Sequence, residues 1–249
     1  MARPLILRPH AVAAIMATPV ADASAPAANV LTTQPRETAL WTAGGNVTLT
    51  LDLGTGRTGD ALALVNSDAQ SWSLKAAASE PALTTAPVIA SGSVAAISER
   101  VAAIWWNPLA ATTARWWQVA LTLPAGGRLG RLVLAEAFAP LWPYQWGMTR
   151  SLTSAPIQAT PSGSLFTAPH RPRWRWQVTF GDVTDAEWLT QWKALAPYMA
   201  SGAPVVFCAD YDAADPTEES IYALGILGQG ITRQRPNRWR TAIVFEEML

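Results

Sequence analysis

Val47-Thr48-Leu49-Thr50-Leu51-Asp52-Leu53-Gly54 and, a few residues on, Ala61-Leu62-Ala63-Leu64-Val65 decide the fold of this chain. Alternation at period two puts Val47, Leu49, Leu51 and Leu53 on one face and Thr48, Thr50 and Asp52 on the other. That is the pattern of an antiparallel strand with one buried and one wet side. Between the two runs, Gly54-Thr55-Gly56-Arg57-Thr58-Gly59 reads as a hairpin-type turn. A phosphate-cradling loop would need a Gly-Lys-Ser/Thr ending and a helix to follow, and the next segment alternates like a strand.

Working outward, Pro4 to Leu7, Ser71 to Lys75, Ile104 to Trp106, Arg115 to Leu123 and Gly130 to Glu136 are further strand candidates, short and separated by Gly, Pro, Ser and Thr. Such spacing argues an antiparallel sandwich or jelly roll. In Arg115-Trp116-Trp117-Gln118-Val119-Ala120-Leu121-Thr122-Leu123, the side chains of Trp117, Val119, Leu121 and Leu123 share a face.

The ordered set of Asn29-Val30-Leu31 leading to Trp41, the Leu51-Asp52-Leu53-Gly54 strand end, Ala61 to Val65, Arg115 to Leu121 and Gly130-Arg131-Leu132-Val133-Leu134 resembles the galactose-binding-like (discoidin-type) jelly roll over about residues 20 to 137. The disulfide partners usual in that family are absent, and no convergent Asn, Asp or Arg set that would fix sugar hydroxyls is visible. The resemblance implies the fold more than a ligand.

Pro140-Leu141-Trp142-Pro143-Tyr144-Gln145-Trp146-Gly147 reads as a junction in which three aromatics clamp one domain on another. Length alone suggests two domains, which we place at 1–143 and 144–249. In the second, Trp174, Trp176, Val178 and Phe180 fall on one face of a strand and Arg173, Arg175, Gln177 and Thr179 on the other. Thr184 at an N-cap with Glu187 three residues later forms a capping box, followed by Trp188, Trp192, Leu195 and Met199 at helical spacing, so a helix is expected over 184–199. Strands follow at Pro204 to Ala209, Ile221 to Leu227 and Arg238 to Glu246. This order resembles the β-sandwich-plus-helix domain of phage tail-tube and baseplate proteins, and the whole is similar to a minor tail, baseplate or distal tail protein of a long-tailed phage. The fold class expected is therefore mainly β: an N-terminal jelly-roll β-sandwich plus a C-terminal tail-tube-like β-sandwich with one flanking α-helix.

Composition restricts the function. Lys plus Arg and Asp plus Glu number 18 each in 249 residues, so no global field favours nucleic acid or anionic lipid. One cysteine, Cys208, and two histidines, His10 and His170, cannot build a disulfide framework or a Cys/His zinc site. Cys208 inside Pro204-Val205-Val206-Phe207-Cys208-Ala209 reads as a buried strand thiol. Arg3, Arg8, the run Ala11 to Ala17 and Ala23-Ser24-Ala25 resemble a signal peptide, but Pro4, Pro9, His10 and Pro19 interrupt it. Nowhere are there 18 uninterrupted apolar residues, so no membrane span is expected.

Chemistry is sparse. Asp210, Asp212, Asp215, Glu218 and Glu219 form the one acidic cluster, which reads as a solvated loop in preference to a calcium loop, because the turn glycine is missing and Pro216 intrudes. There is no Gly-x-Ser-x-Gly elbow, no cofactor motif is visible, and no enzyme is expected. The thirteen tryptophans spread over both halves. In Trp105-Trp106 and Trp116-Trp117, adjacent residues point to opposite faces, so one of each pair faces something other than the shared core: solvent, a protein interface or a sugar. The interface or ligand candidates are Trp105, Trp106, Trp116, Trp117, Trp142, Tyr144, Trp146, Arg173, Arg175, Arg238 and Arg240. The resemblances imply a structural tail-tip subunit that assembles as a ring-forming homo-oligomer with other tail subunits, in the virion tail after synthesis in the host cytoplasm. The alternative is a carbohydrate-binding module for a host surface glycan, and a third reading is a secreted hydrolase.

Overall fold

The computed structural model describes residues 3–94, 104–141, 148–153, 157–159, 165–167 and 172–248, with the backbone alone at 104–108, 157–159, 165–167 and 229–230. Its strands are β1 (Leu5–Pro9), β2 (Ala14–Thr18), β3 (Ala39–Trp41), β4 (Gly45–Ser67), β5 (Ser71–Ala77), β6 (Val88–Ser93), β7 (Ile104–Leu123), β8 (Gly127–Phe138), β9 (Thr149–Leu152), β10 (Ile157–Ala159), β11 (Leu165–Thr167), β12 (Trp174–Thr184), β13 (Pro204–Cys208), β14 (Ser220–Arg235) and β15 (Arg238–Glu247). Among the described residues the fold is mainly β and antiparallel, with one α-helix and two short 3-10 turns at Ala27–Leu31 and Pro81–Thr84.

The segment expected to turn at Gly54 to Gly59 does not reverse the chain. β4 runs through it as one 23-residue strand and keeps β7 as its neighbour on both sides. Asp52 pairs with Trp116 and Arg57 with Ala114, so Leu53 to Gly56 lie opposite the single residue Arg115. This wide bulge, with Gly54 at φ 73°, bends the strand. The first half of β4 then lies in one leaf of a sandwich with β2, the end of β7, β5 and β6. Its second half lies in the other leaf, with the start of β7, β8 and β3. Turn residues are also bulge residues, which is why the sequence pattern misleads here.

Between the leaves, Val47, Leu49, Leu51 and Leu53 meet Leu62, Leu64, Trp72, Leu74, Trp117, Val119, Leu121, Leu132 and Leu134 in one apolar cluster. The alternation of the opening stretch is realised in its apolar side chains, all four of which are buried, and Thr48 and Thr50 are half-exposed, but Asp52, expected on the wet face, is buried against Arg115. This is a jelly-roll sandwich.

The second half is built on β13-β14-β15-β12-β9, with β10 and β11 as a separate two-stranded ribbon. Its helix comprises Asp185–Glu187, a π turn Trp188–Trp192 and Lys193–Ala200. Thr184 caps it as expected, its Oγ1 accepting from the Glu187 N–H at 3.1 Å. The reciprocal half of the capping box is absent. Glu187 instead turns into the core and accepts from the Trp192 indole N–H at 3.0 Å, five residues on, because the π turn brings i and i+5 together. Trp192, fully buried, packs edge-on against Phe138 (5.0 Å) and tilted against Phe180 (5.1 Å).

β1 joins the halves. It pairs with β8 through Ile6–Phe138 to Pro9–Ala135 and with β13 through Leu5–Cys208 to Leu7–Val206. The first strand of the chain therefore lies between the last strand of the jelly roll and the first sheet strand after the helix, and one sheet of 13 strands runs through the molecule. Ile6 and Phe138 enter the second core, while Leu5, Leu7, Ala63, Val65, Val133, Val206, Cys208 and Tyr222 form a third cluster across the seam. Cys208 is buried there, and burial pushes its thiol up to about 12.

Candidate functional site

Of the residues singled out from sequence, Trp142, Tyr144 and Trp146 lie outside the described residues, as do the side chains of Trp105 and Trp106. Trp117 is corrected: it is fully buried between the leaves, its indole N–H donating to the Ala114 carbonyl at 3.2 Å, and offers nothing to a ligand or partner. Its neighbour Trp116, on the opposite face, is half-buried beneath the Arg115 guanidinium, 5.4 Å from its ring. Arg115 in turn grips Asp52 with two bonds of 2.8 Å, and this guanidinium draws the Asp52 carboxyl down to about 2.

On the second half, tryptophan points inward and arginine outward along β12. Trp176 is buried, with Arg150 from β9 4.3 Å over its ring, whereas Arg173 and Arg175 are exposed. Arg240 is exposed on the same outer face, and Arg238 is half-buried and donates to the Asn237 carbonyl. Trp239 faces the helix and stacks on Trp188 at 5.2 Å.

The groups expected to carry no chemistry are otherwise engaged. Asp210 Oδ1 accepts from the Arg3 and Asp212 N–H groups, Asp212 pairs with the Arg3 guanidinium, Asp215 Oδ1 accepts from the Thr217 N–H, and Glu219 pairs with Arg150. His10 Nε2 lies 2.7 Å from the Thr58 carbonyl and so carries the proton of the neutral ring, while burial pulls its pKa down. Among the described residues no three His, Cys, Asp or Glu side chains come together as a metal site, and no helix is long and apolar enough to cross a membrane.

What the sequence did not disclose is a polar cleft at one end of the jelly roll. It is an open concavity of about 680 Å3 lined by Arg36, Thr38, Asn66, Asp68, Gly126 and Arg128. Three connections and the strand ends beside them supply these residues: Arg36 and Thr38 from the loop before β3, Asn66 at the end of β4 with Asp68 in the turn to β5, and Gly126 in the turn from β7 with Arg128 at the start of β8. Each is fixed by the backbone. The Asp68 N–H donates to the Arg128 carbonyl and the Arg128 N–H to Asp68 Oδ2, both at 2.9 Å, which ties the second and third connections together. Asn66, at φ 52°, donates its amide to the Pro35 carbonyl at 2.9 Å. That carbonyl is seated against Gly130, where a Cβ would lie 2.1 Å from the oxygen, so no residue but glycine fits.

The same loop is held from beneath. Arg131 donates to the Thr32 carbonyl at 2.9 Å, and the Tyr222 hydroxyl, from the second half, donates to the Thr33 carbonyl at 3.3 Å. Two guanidinium forks, an amide, a hydroxyl and a carboxylate thus converge on a backbone that is already fixed. The signal available in sequence was turn chemistry, at Pro35-Arg36-Glu37 and Asn66-Ser67-Asp68, which marks turns without saying which of them meet.

No family model matches the chain, and no curated protein matches it. Solved structures of similar shape include the CBM32 of AlyQ in complex with 4,5-unsaturated mannuronic acid, with 15% identity, a TM-score of 0.41, and 51% of this chain and 97% of that chain covered. Chitosan-binding module 1 of a chitosanase/glucanase from Paenibacillus sp. IK-5 gives 16% identity and 0.42 over 52% of this chain and 99% of that chain. The family 32 module of C. perfringens NanJ in complex with galactose gives 14% identity and 0.42 over 53% and 99%. These are similarities of shape over about half the chain, and no ligand is carried across by them.

Proposed function

We propose that the protein is a non-catalytic recognition protein whose jelly-roll half binds carbohydrate in the cleft of Arg36, Thr38, Asn66, Asp68 and Arg128. The observation that supports this reading is the convergence of donors and acceptors from three neighbouring parts of the jelly roll on one open concavity. Sugar hydroxyls need both kinds of partner at fixed positions, and a pre-formed backbone lowers the ordering cost of binding. Among the described residues no aromatic side chain lines the cleft, so on this reading recognition rests on hydrogen bonds and charge in place of ring stacking. A glycan array probed with the whole protein tests the reading: retention of a defined glycan, lost in Asn66→Ala with Asp68→Ala, supports it, and retention of none refutes it.

A second reading, a structural subunit of a phage tail tip that assembles as a ring, is favoured by the outer face of the second half. Arg173, Arg175 and Arg240 form no ion pair among the described residues, although Glu246 is the cross-strand neighbour of Arg175 there, and Ile226 is exposed on the same face. On this reading that face docks an acidic surface of a neighbouring subunit while the cleft presents outward for host attachment. Sedimentation velocity distinguishes a salt-sensitive oligomer, lost in Arg175→Glu with Arg240→Glu, from a monomer at all concentrations.

A further inference from the structure

Charge in the cleft is not balanced. Its lining holds two guanidinium groups, Arg36 and Arg128, against one carboxylate, Asp68. Neither guanidinium forms an ion pair with a carboxylate among the described residues, although Glu37 follows Arg36 directly in the chain and Asp68 accepts from the Arg128 backbone N–H. One oxygen of Asp68, Oδ2, accepts from the Arg128 backbone N–H, so this bond is to the main chain and not to the guanidinium. The cleft thus carries a local excess of one positive charge in a molecule whose charges as a whole sum to zero.

We propose that the ligand is an acidic glycan whose charge is a sugar carboxylate, so that this inference rests on the carbohydrate-binding reading above. The guanidinium is planar and presents paired N–H donors at the spacing of the two oxygens of a carboxylate. A uronic acid residue brings that carboxylate together with vicinal hydroxyls, which Asp68, Asn66 and Thr38 serve as acceptors and donors. The carboxylate of Asp68 sets the upper limit of charge. It accepts from hydroxyls of a chain with one charge per sugar, and it repels a densely sulfated chain.

The test is calorimetric titration of the whole protein with oligogalacturonate, its methyl ester, a sulfated oligosaccharide and a neutral glycan panel. Methyl esterification removes the charge and leaves the hydroxyls, so it needs no folded variant. The acid is expected to bind at least about tenfold more tightly than the ester at low salt, an advantage that shrinks as salt is raised. Arg36→Gln with Arg128→Gln, both exposed positions, is expected to reduce the acid to the affinity of the ester. Equal binding of acid and ester, or preference for the sulfated chain or a neutral glycan, overturns the carboxylate assignment and leaves carbohydrate binding standing. Binding of no glycan of any class overturns both.

Discussion

The Asp52–Arg115 pair is built from the last paired residue before the bend in β4 and the single β7 residue opposite that bend. The Asp52 carboxyl is drawn to about 2, below the value of about 3.9 for an unfolded aspartate. A depressed folded pKa means the contribution to stability is complete above pH 4 and is lost as pH falls from about 4 towards 2. Urea unfolding of wild type and Asp52→Asn should therefore differ most at pH 7 and converge near pH 2. A gap that is unchanged across that range would show that the ion pair is not its source. Residue identity was legible here only in part: alternation put Asp52 opposite the core face but on a wet side, whereas it is buried against Arg115, a partner 63 positions away that nothing local announces.

Elements were legible where a period met a single buried face. Val47 to Leu53, Trp117 to Leu123 and Trp174 to Phe180 alternate because one side of each strand is core, and the structure buries that side. β2 was missed because its five residues alternate between exposed and half-exposed along an edge, so no apolar period marks it. The helix was found from its cap and spacing, but the π turn was not, and with it the inward course of Glu187. Replacing Glu187 with alanine leaves the buried indole N–H of Trp192 without its acceptor. The cost should be about 1–3 kcal/mol, the usual penalty for such a group. Denaturant unfolding measures it, and a Glu187→Gln variant, whose amide oxygen still accepts, should recover most of the loss. If the alanine variant is as stable as wild type, the bond is not a support of the helix. The cleft was illegible for a different reason: its residues come from connections about 30 and 60 positions apart, and only the closed sandwich brings them together.

At the scale of the molecule, β1 makes one sheet of two halves. Leu7, fully buried at the seam, should cost about 2–5 kcal/mol when cut to alanine, as large-to-small changes in cores do. Because its strand pairs on both sides, hydrogen exchange should show amides of 47–53 and of 176–180 losing protection together. Loss confined to one half would mean that the halves are coupled only by the chain. The second half also touches the cleft's support, since the Tyr222 hydroxyl donates to the Thr33 carbonyl in the loop that carries Arg36.

The central claim is that the cleft is the binding surface, and amide chemical-shift mapping with an acidic oligosaccharide tests it most directly. The account predicts saturable shifts centred on Arg36, Thr38, Asn66, Asp68, Gly126 and Arg128 and absent from β12 and β15. Shifts centred on Arg173, Arg175 and Arg240, or none at millimolar ligand, would contradict it.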